Sequence, residues 1–256
     1  MKSWKTLVLV STMVLGMGLV AAGCSSNTSG SADKAEYVVG TDAAYAPFEW
    51  MENDKIVGYD VDVLNAVAEE AGIKLKWENT GWDGIFIALQ NGERDIIASA
   101  VSITEERKKT FAFTDPYFEA TQMLVFKDGE NFKTLKDLEG KKIGVQNATT
   151  GDTAVSELFG QDNTNIKRFK TTPLALLELK NGGVDCVVAD NGVVLEYVKK
   201  NGAEGLKTVI DETFEKEQYG FALKKEDTEL LKKLNDGLAA IKDSGKLEDI
   251  QKQYGF

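Results

Sequence analysis

The chain has 256 residues, 43% of them hydrophobic and 28% charged, with a net charge of −11, two cysteines and no histidine. Such composition fits one large globular domain or two smaller ones, and neither a disordered chain nor a disulfide scaffold. The acidity excludes a basic face for nucleic-acid phosphates, and the missing histidine excludes His-based triads, His general bases and His metal sites.

Lys2 and Lys5 precede an apolar run from Thr6 to Val20, followed by the small residues Ala21-Ala22-Gly23. This order predicts a secretory signal peptide over residues 1–23, since the run is short for a membrane-spanning helix of about 20 residues. Cys24 follows directly and resembles the cysteine of a bacterial lipobox, although Ala21 stands where leucine is usual. On that resemblance Cys24 becomes a lipidated mature N-terminus, bearing diacylglycerol and palmitate; the alternative is a plain cleaved signal with an incidental cysteine. Residues 24–36, with Ser25-Ser26-Asn27-Thr28-Ser29-Gly30-Ser31, read as a flexible tether. Cleavage removes Lys2 and Lys5 and takes the charge from −11 to −13. Cys186 is then left without a disulfide partner, and its apolar run Val184 to Val188 predicts a buried, inert thiol.

From Tyr37 onwards strands alternate with helices. Tyr37-Val38-Val39 reads as a strand, Asp60 to Ala71 as an amphipathic helix stopped by Gly72, and Ile73 to Trp77 as a second strand. A helix from Asp83 to Gln90, a strand from Asp95 to Ala98 and a helix capped by Thr104 follow. The rhythm then repeats. A short helix starts near Thr134, Lys142 to Gln146 is a strand, a helix begins about Thr150, and Ile166 to Phe169 is a strand. Thr172-Pro173 opens a helix over Leu174 to Lys180, and Val184 to Ala189 returns to a strand. Residues 226–254 are mostly helical, with Leu230, Leu231, Leu234, Leu238 and Ile241 on one face. This alternation implies an α/β fold of parallel sheets covered by helices, and such sheets bind ligands beyond the carboxyl ends of their strands.

The loops after the strands carry the informative residues. Asp42 and Tyr45 follow the first strand, and Trp82 lies between glycines ahead of a helix. Ser99, Ala100, Ser102 and Arg107 follow the strand at Asp95, Gln146 to Thr150 open another helix, and Asp190 ends a strand. Each has a plainer reading: a turn residue for Asp42, packing for Tyr45 and Trp82, a solvated charged face for Arg107, and helix caps for Thr149-Thr150 and Asp190. However, only Arg94, Arg107 and Arg168 among thirty basic residues are arginine, and a planar fork for a carboxylate is the role lysine does not fill. Together, an arginine and a helix N-terminus suit a carboxylate, Asp190 suits an ammonium, and two aromatics flank what lies between. That set complements a free α-amino acid.

The series Thr41-Asp42-Ala43-Ala44-Tyr45-Ala46-Pro47-Phe48-Glu49, Gly58-Tyr59-Asp60, Trp82-Asp83-Gly84, Ser102-Ile103-Thr104-Glu105-Glu106-Arg107 and Phe113-Thr114-Asp115-Pro116-Tyr117 resembles the polar amino-acid solute-binding proteins of ABC importers, bacterial family 3. The likeness continues through Gly144-Val145-Gln146, Ala148-Thr149-Thr150-Gly151, Val184 to Asn191 and Tyr219-Gly220-Phe221-Ala222. It implies a two-lobed type II periplasmic-binding-protein fold, with two parallel-type mixed sheets flanked by helices and joined by two hinge crossovers. Lobe 1 would span 37–124 and 220–256 and lobe 2 would span 125–219, with hinges near Met123–Phe126 and Gln218–Ala222. Arg107, helped by Ser102 and the backbone at Thr150, would hold the ligand's α-carboxylate. Asp190 would hold its ammonium with Ser99 or Ala100, Tyr45 and Trp82 would flank its side chain, and Asp42 would reach the polar end, with Gln146 on the opposite lobe. Ala148 stands where the family commonly has glycine. The implied partners are a free amino acid (arginine, lysine, histidine or glutamine, from the acidity of Asp42, Glu49 and Asp83), the transmembrane permease subunits, and the membrane through the lipid. The protein is then an exported monomer on the outer face of the cell membrane, with no nucleic acid, metal or cofactor and no enzymatic activity. A sensory receptor domain or a small-molecule dehydratase on the same scaffold are the alternatives.

Overall fold

Glycines in left-handed backbone and short β-rich runs divide the chain much as its sequence suggests. The structure is a computed structural model and describes residues 34–202 and 205–256; the expected signal peptide, Cys24 and the tether as far as residue 33 lie outside the described residues. Strand β1 (Tyr37–Thr41) leads into a small antiparallel sheet of β2 (Ala44–Tyr45), β3 (Glu49–Glu52) and β4 (Lys55–Val57). Helix α1 (Tyr59–Ala71) ends at Gly72 with φ 65°, and β5 (Leu75–Asn79), α2 (Trp82–Gln90) and β6 (Ile96–Ile97) follow. A single turn, α3 (Glu105–Lys108), precedes β7 (Phe111–Phe113), β8 (Phe118–Ala120) and β9 (Gln122–Lys127). The helix expected at Thr134 is a 3₁₀ turn, Leu135–Leu138.

The second series is β10 (Ile143–Gln146), α4 (Thr150–Phe159), β11 (Ile166–Phe169), α5 (Thr172–Asn181), β12 (Cys186–Asp190), α6 (Asn191–Asn201) and β13 (Leu206–Val209). The chain returns through β14 (Glu217–Tyr219) and β15 (Ala222–Lys224) to α7 (Thr228–Asp243) and α8 (Lys246–Tyr254). Gly245, with φ 78°, breaks the long C-terminal helix in two. Leu230, Leu234, Leu238 and Ile241 are buried as the periodicity predicts, packed with α1 and β1 residues in one core. Among the described residues no helix is long and apolar enough to cross a membrane.

Two five-stranded sheets result. The first has the order β5-β1-β6-β15-β7, with β1 parallel to β5 and β6 and with β15 antiparallel to β6 and β7. The second has the order β11-β10-β12-β9-β13, with β10 parallel to β11 and β12 and with β9 antiparallel to β12 and β13. Between them β8 and β14 form an antiparallel ribbon that pairs Phe118 with Tyr219 and Ala120 with Glu217. The 124/125 boundary and the Met123–Phe126 hinge need correction. β9 pairs with β12 from Gln122 onwards, Gln122 against Asp190 and Met123 against Ala189. A central strand hydrogen-bonded on both edges has no slack to bend, so the first crossover lies at residues 118–121. The chain returns from β14 to β15 in the first sheet through Gly220-Phe221.

Helix α1 is docked on the loop before β3: Tyr59 N–H donates to Pro47 O at 2.9 Å and Asp60 N–H to Phe48 O at 3.0 Å. Gly58 makes this approach possible, with φ 140° and an ideal Cβ only 2.1 Å from Phe48 O. Gly58→Ala is expected to lower stability by about 3 kcal/mol through strain and overpacking. Urea denaturation checks this, and an unchanged midpoint would show that the loop yields.

Candidate functional site

The loops beyond β1, β6, β10 and β12 converge on a cavity between the two sheets. All ten binding residues expected from the sequence (Asp42, Tyr45, Trp82, Ser99, Ala100, Ser102, Arg107, Gln146, Thr150 and Asp190) line it, and Thr149 joins them.

Arg107 stands apart from the other arginines. Arg94 meets Glu78 at 2.9 Å and Arg168 meets Asp152 at 2.9 Å, whereas among the described residues no carboxylate lies within 4.0 Å of the Arg107 guanidinium. Thr104 caps α3 by accepting from Arg107 N–H at 3.1 Å, which turns the side chain inward. The guanidinium donates to Ser102 O at 2.9 Å and lies 5.4 Å from the Trp82 ring centre and 5.3 Å from that of Phe86. Trp82 therefore supports Arg107 as well as lining the cavity. The solvated-face reading holds for its neighbours: Lys108 pairs with Glu105 at 2.9 Å and Lys109 with Glu106 at 2.5 Å. Burial draws the Arg107 pKa down while Glu217 and Asp190 hold it up, and a guanidinium stays charged at physiological pH.

Asp190 forms the facing wall. Its carboxylate accepts from the Tyr219 hydroxyl, from Gln122 Nε2 and from the Tyr45 hydroxyl, and it makes no side-chain cap to α6. A carboxylate offers about four acceptor positions, so one remains for a further donor. Burial, aided by the Glu217 charge, pushes its pKa up to about 6.

Asp42 is buried, and Gln146 Nε2 reaches one of its oxygens across the cleft at 3.5 Å. Gln146 is fixed through its own oxygen, which accepts from Thr172 N–H at 3.1 Å and from the Thr172 hydroxyl at 2.9 Å. Burial raises the Asp42 pKa against hydrogen bonds from the Trp82 backbone and Gln146. The Ser99 hydroxyl is occupied, accepting from Asp42 N–H at 3.0 Å and donating to Glu49 at 2.8 Å. Glu49 is thus buried beneath the loop, while Asp83 is exposed and bonds Asn147 at 3.2 Å. Thr149 caps α4, accepting from Asp152 N–H at 3.2 Å, and leaves Thr150 to face the cleft.

Residues 37–256 match the bacterial extracellular solute-binding proteins, family 3. The chain belongs to this family. The "Probable histidine-binding protein" of Neisseria gonorrhoeae is 39% identical, over 99% of this chain and 96% of its own length. The structure of the arginine-, lysine-, histidine-binding protein ArtJ from Geobacillus stearothermophilus is 48% identical over 86% of this chain and 95% of that one, with a TM-score of 0.83. An ancestral arginine-binding protein bound to glutamine is 41% identical over 87% of this chain and 98% of that one, with a TM-score of 0.80. The two mixed sheets joined by two crossovers are the two-lobed type II periplasmic-binding-protein fold.

Sequence reasoning missed three polar residues bonded to the cavity's lining: Gln122, Glu217 and Tyr219. The sequence marks them only faintly: Gln122 opens a strand whose next four residues are apolar, and Glu217 and Tyr219 share a strand face at spacing two, but neither pattern names a partner. Two backbone positions are held against strain. Ala100 has φ 46°, with its N–H bonded to Asp60 at 2.7 Å, and Ala148 has φ 56°, with its N–H bonded to Asp152 at 3.0 Å. Ala148 thus adopts the conformation that glycine takes freely.

Asp60 lies beneath Ala100, and like Glu49 it has 0% exposure and one oxygen without a partner. Burial raises both carboxyls, and Asp60 reaches about 7 despite hydrogen bonds from Tyr117 and Ala100. An unfolded aspartate titrates near 4, so between about pH 4 and 7 the folded state keeps a proton that the unfolded chain has released. Stability of the ligand-free protein is therefore expected to fall as pH rises through this window and to level off above it. Asp60→Asn should flatten the fall in urea midpoints measured from pH 4.5 to 8, while an unaltered slope would place the proton elsewhere.

Proposed function

We propose that the cleft binds a free α-amino acid with a basic or amide side chain for an ABC importer. The observation that carries this reading is the Arg107 guanidinium, without a carboxylate of its own, facing the cavity opposite buried Asp190. Arg107 takes the α-carboxylate, and Asp190 takes the ammonium at its remaining acceptor position. Asp42, which Gln146 reaches only at 3.5 Å, faces the polar end of the ligand beside Tyr45 and Gln146. The named relatives bind arginine, lysine, histidine or glutamine, and the negative charge at Asp42 favours the same set.

The lobes divide near residues 121 and 220, and the cleft lies between them. Gln146 to Asp42, Asn147 to Asp83 and Asp190 to Tyr45 already link its two sides. A ligand held from both sides favours the closed arrangement by its differential affinity for it. The closed, loaded form is then what the transmembrane permease subunits receive. We read the chain as a binding protein and not an enzyme.

In a thermal-shift panel of the twenty amino acids, arginine, lysine, histidine or glutamine should stabilise most, by about 2.7 kcal/mol at 100 times its Kd. Arg107→Ala should abolish that shift, and stabilisation by glutamate or aspartate alone would overturn the ligand class.

At the N-terminus we propose cleavage after residue 23 and lipidation of Cys24, so that residues 24–36 tether the folded body to the outer face of the cell membrane. Cys24→Ser should release the protein into the culture medium or the periplasm. Unchanged retention on membranes would count against the anchor.

A further inference from the structure

Glu217 lies on β14, in the crossover ribbon, and plays no part in the pose described above. Its carboxylate accepts three hydrogen bonds from residues around the cleft. The Ser102 hydroxyl donates to Oε2, the Thr150 hydroxyl donates to the same oxygen at 2.8 Å, and Gln122 Nε2 donates to Oε1 at 2.8 Å. Ser102 belongs to the first-sheet side, and Thr150 opens α4 on the second. A hydroxyl has one proton to donate. With both protons given to Glu217, neither Ser102 nor Thr150 has one left for a ligand's carboxylate. Arg107 is anchored on the carbonyl of the same Ser102, so the Glu217 charge stands beside the seat of any anion that Arg107 would hold.

We propose that Glu217 is a brake on carboxylate binding, a positioning residue that keeps two hydroxyls from the ligand and sets a standing negative charge against its α-carboxylate. The proposal rests on the amino-acid reading of the cleft. Under it, Arg107 and backbone N–H groups bind the carboxylate against a like charge, and the affinity is lower than the donor set alone would allow. The penalty falls on a charged carboxylate and spares a neutral carboxamide in the same place.

Calorimetry with L-arginine and L-argininamide at pH 6, where both α-amines are protonated, isolates this effect. The ratio of the two affinities cancels any change in how readily the lobes close. Glu217→Gln is expected to raise the acid-to-amide ratio roughly tenfold or more, the scale of one like charge removed at close range. A ratio that stays the same or falls overturns the proposal. Should that variant not fold, Glu217→Ala gives a second reading: the same rise in the acid-to-amide ratio is expected once the charge is gone, and an unaltered ratio overturns the proposal. No binding of L-arginine by the wild type removes the amino-acid reading together with this proposal. Binding with an unaltered ratio removes this proposal alone.

Discussion

A guanidinium withdrawn from solvent without an opposing carboxylate is the constraint on which the site depends. Removing a charge from water is costly, and proteins offset the cost with a partner or with aligned dipoles and polarisable surfaces. Arg107 has the second kind of support, the Ser102 carbonyl at 2.9 Å and the faces of Trp82 and Phe86. None of these neutralises it. The Arg107 end of the cavity is therefore open to an anion, and the paired states of Arg94 and Arg168 show that the chain has carboxylates to spare for arginines elsewhere.

The strand exchange between the sheets puts the opposite charge within reach. Because β9 lies against β12 in the second sheet, Gln122 sits beside Asp190 and bonds it. Because β14 returns beside β8, Tyr219 reaches the other oxygen of the same aspartate. The crossovers are thus both the connection between the two sheets and the scaffold that holds the Asp190 carboxylate. The first-sheet wall is held by a second set of buried groups, with Asp60 fixing the strained Ala100 and Glu49 fixing Ser99. Geometry at the cleft is over-determined from beneath, which is how non-glycine residues persist in left-handed backbone.

How legible this was in the sequence depended on how local each signal is. The ten expected residues sit directly after strands or at helix starts, positions marked by β-rich runs, glycines and Thr caps within a few residues. Repeated strand-helix alternation likewise fixed the class of fold, and the C-terminal leucine stripe identified a core face. Glu217 and Gln122 were not legible, because their meaning comes from partners that only strand pairing supplies, such as Thr150 and Asp190. The place of Met123 to Phe126 was hidden for a related reason: an apolar run does not show which strands flank it, and only its pairing with β12 and β13 reveals a central strand. Tyr45 and Trp82 were read as walls for the ligand, yet each also serves a charged group, Asp190 and Arg107 respectively.

The raised pKa of Asp190 makes the proton a rival ligand. In the proposed pose an ammonium occupies a carboxylate that otherwise takes up a proton near pH 6, within a cage of Tyr45, Tyr219 and Gln122 and beside Glu217. In that pose, capture near that pH expels a proton, so protons and cargo compete for one seat. In a chain without histidine, this buried aspartate titrates in the range that imidazole usually covers.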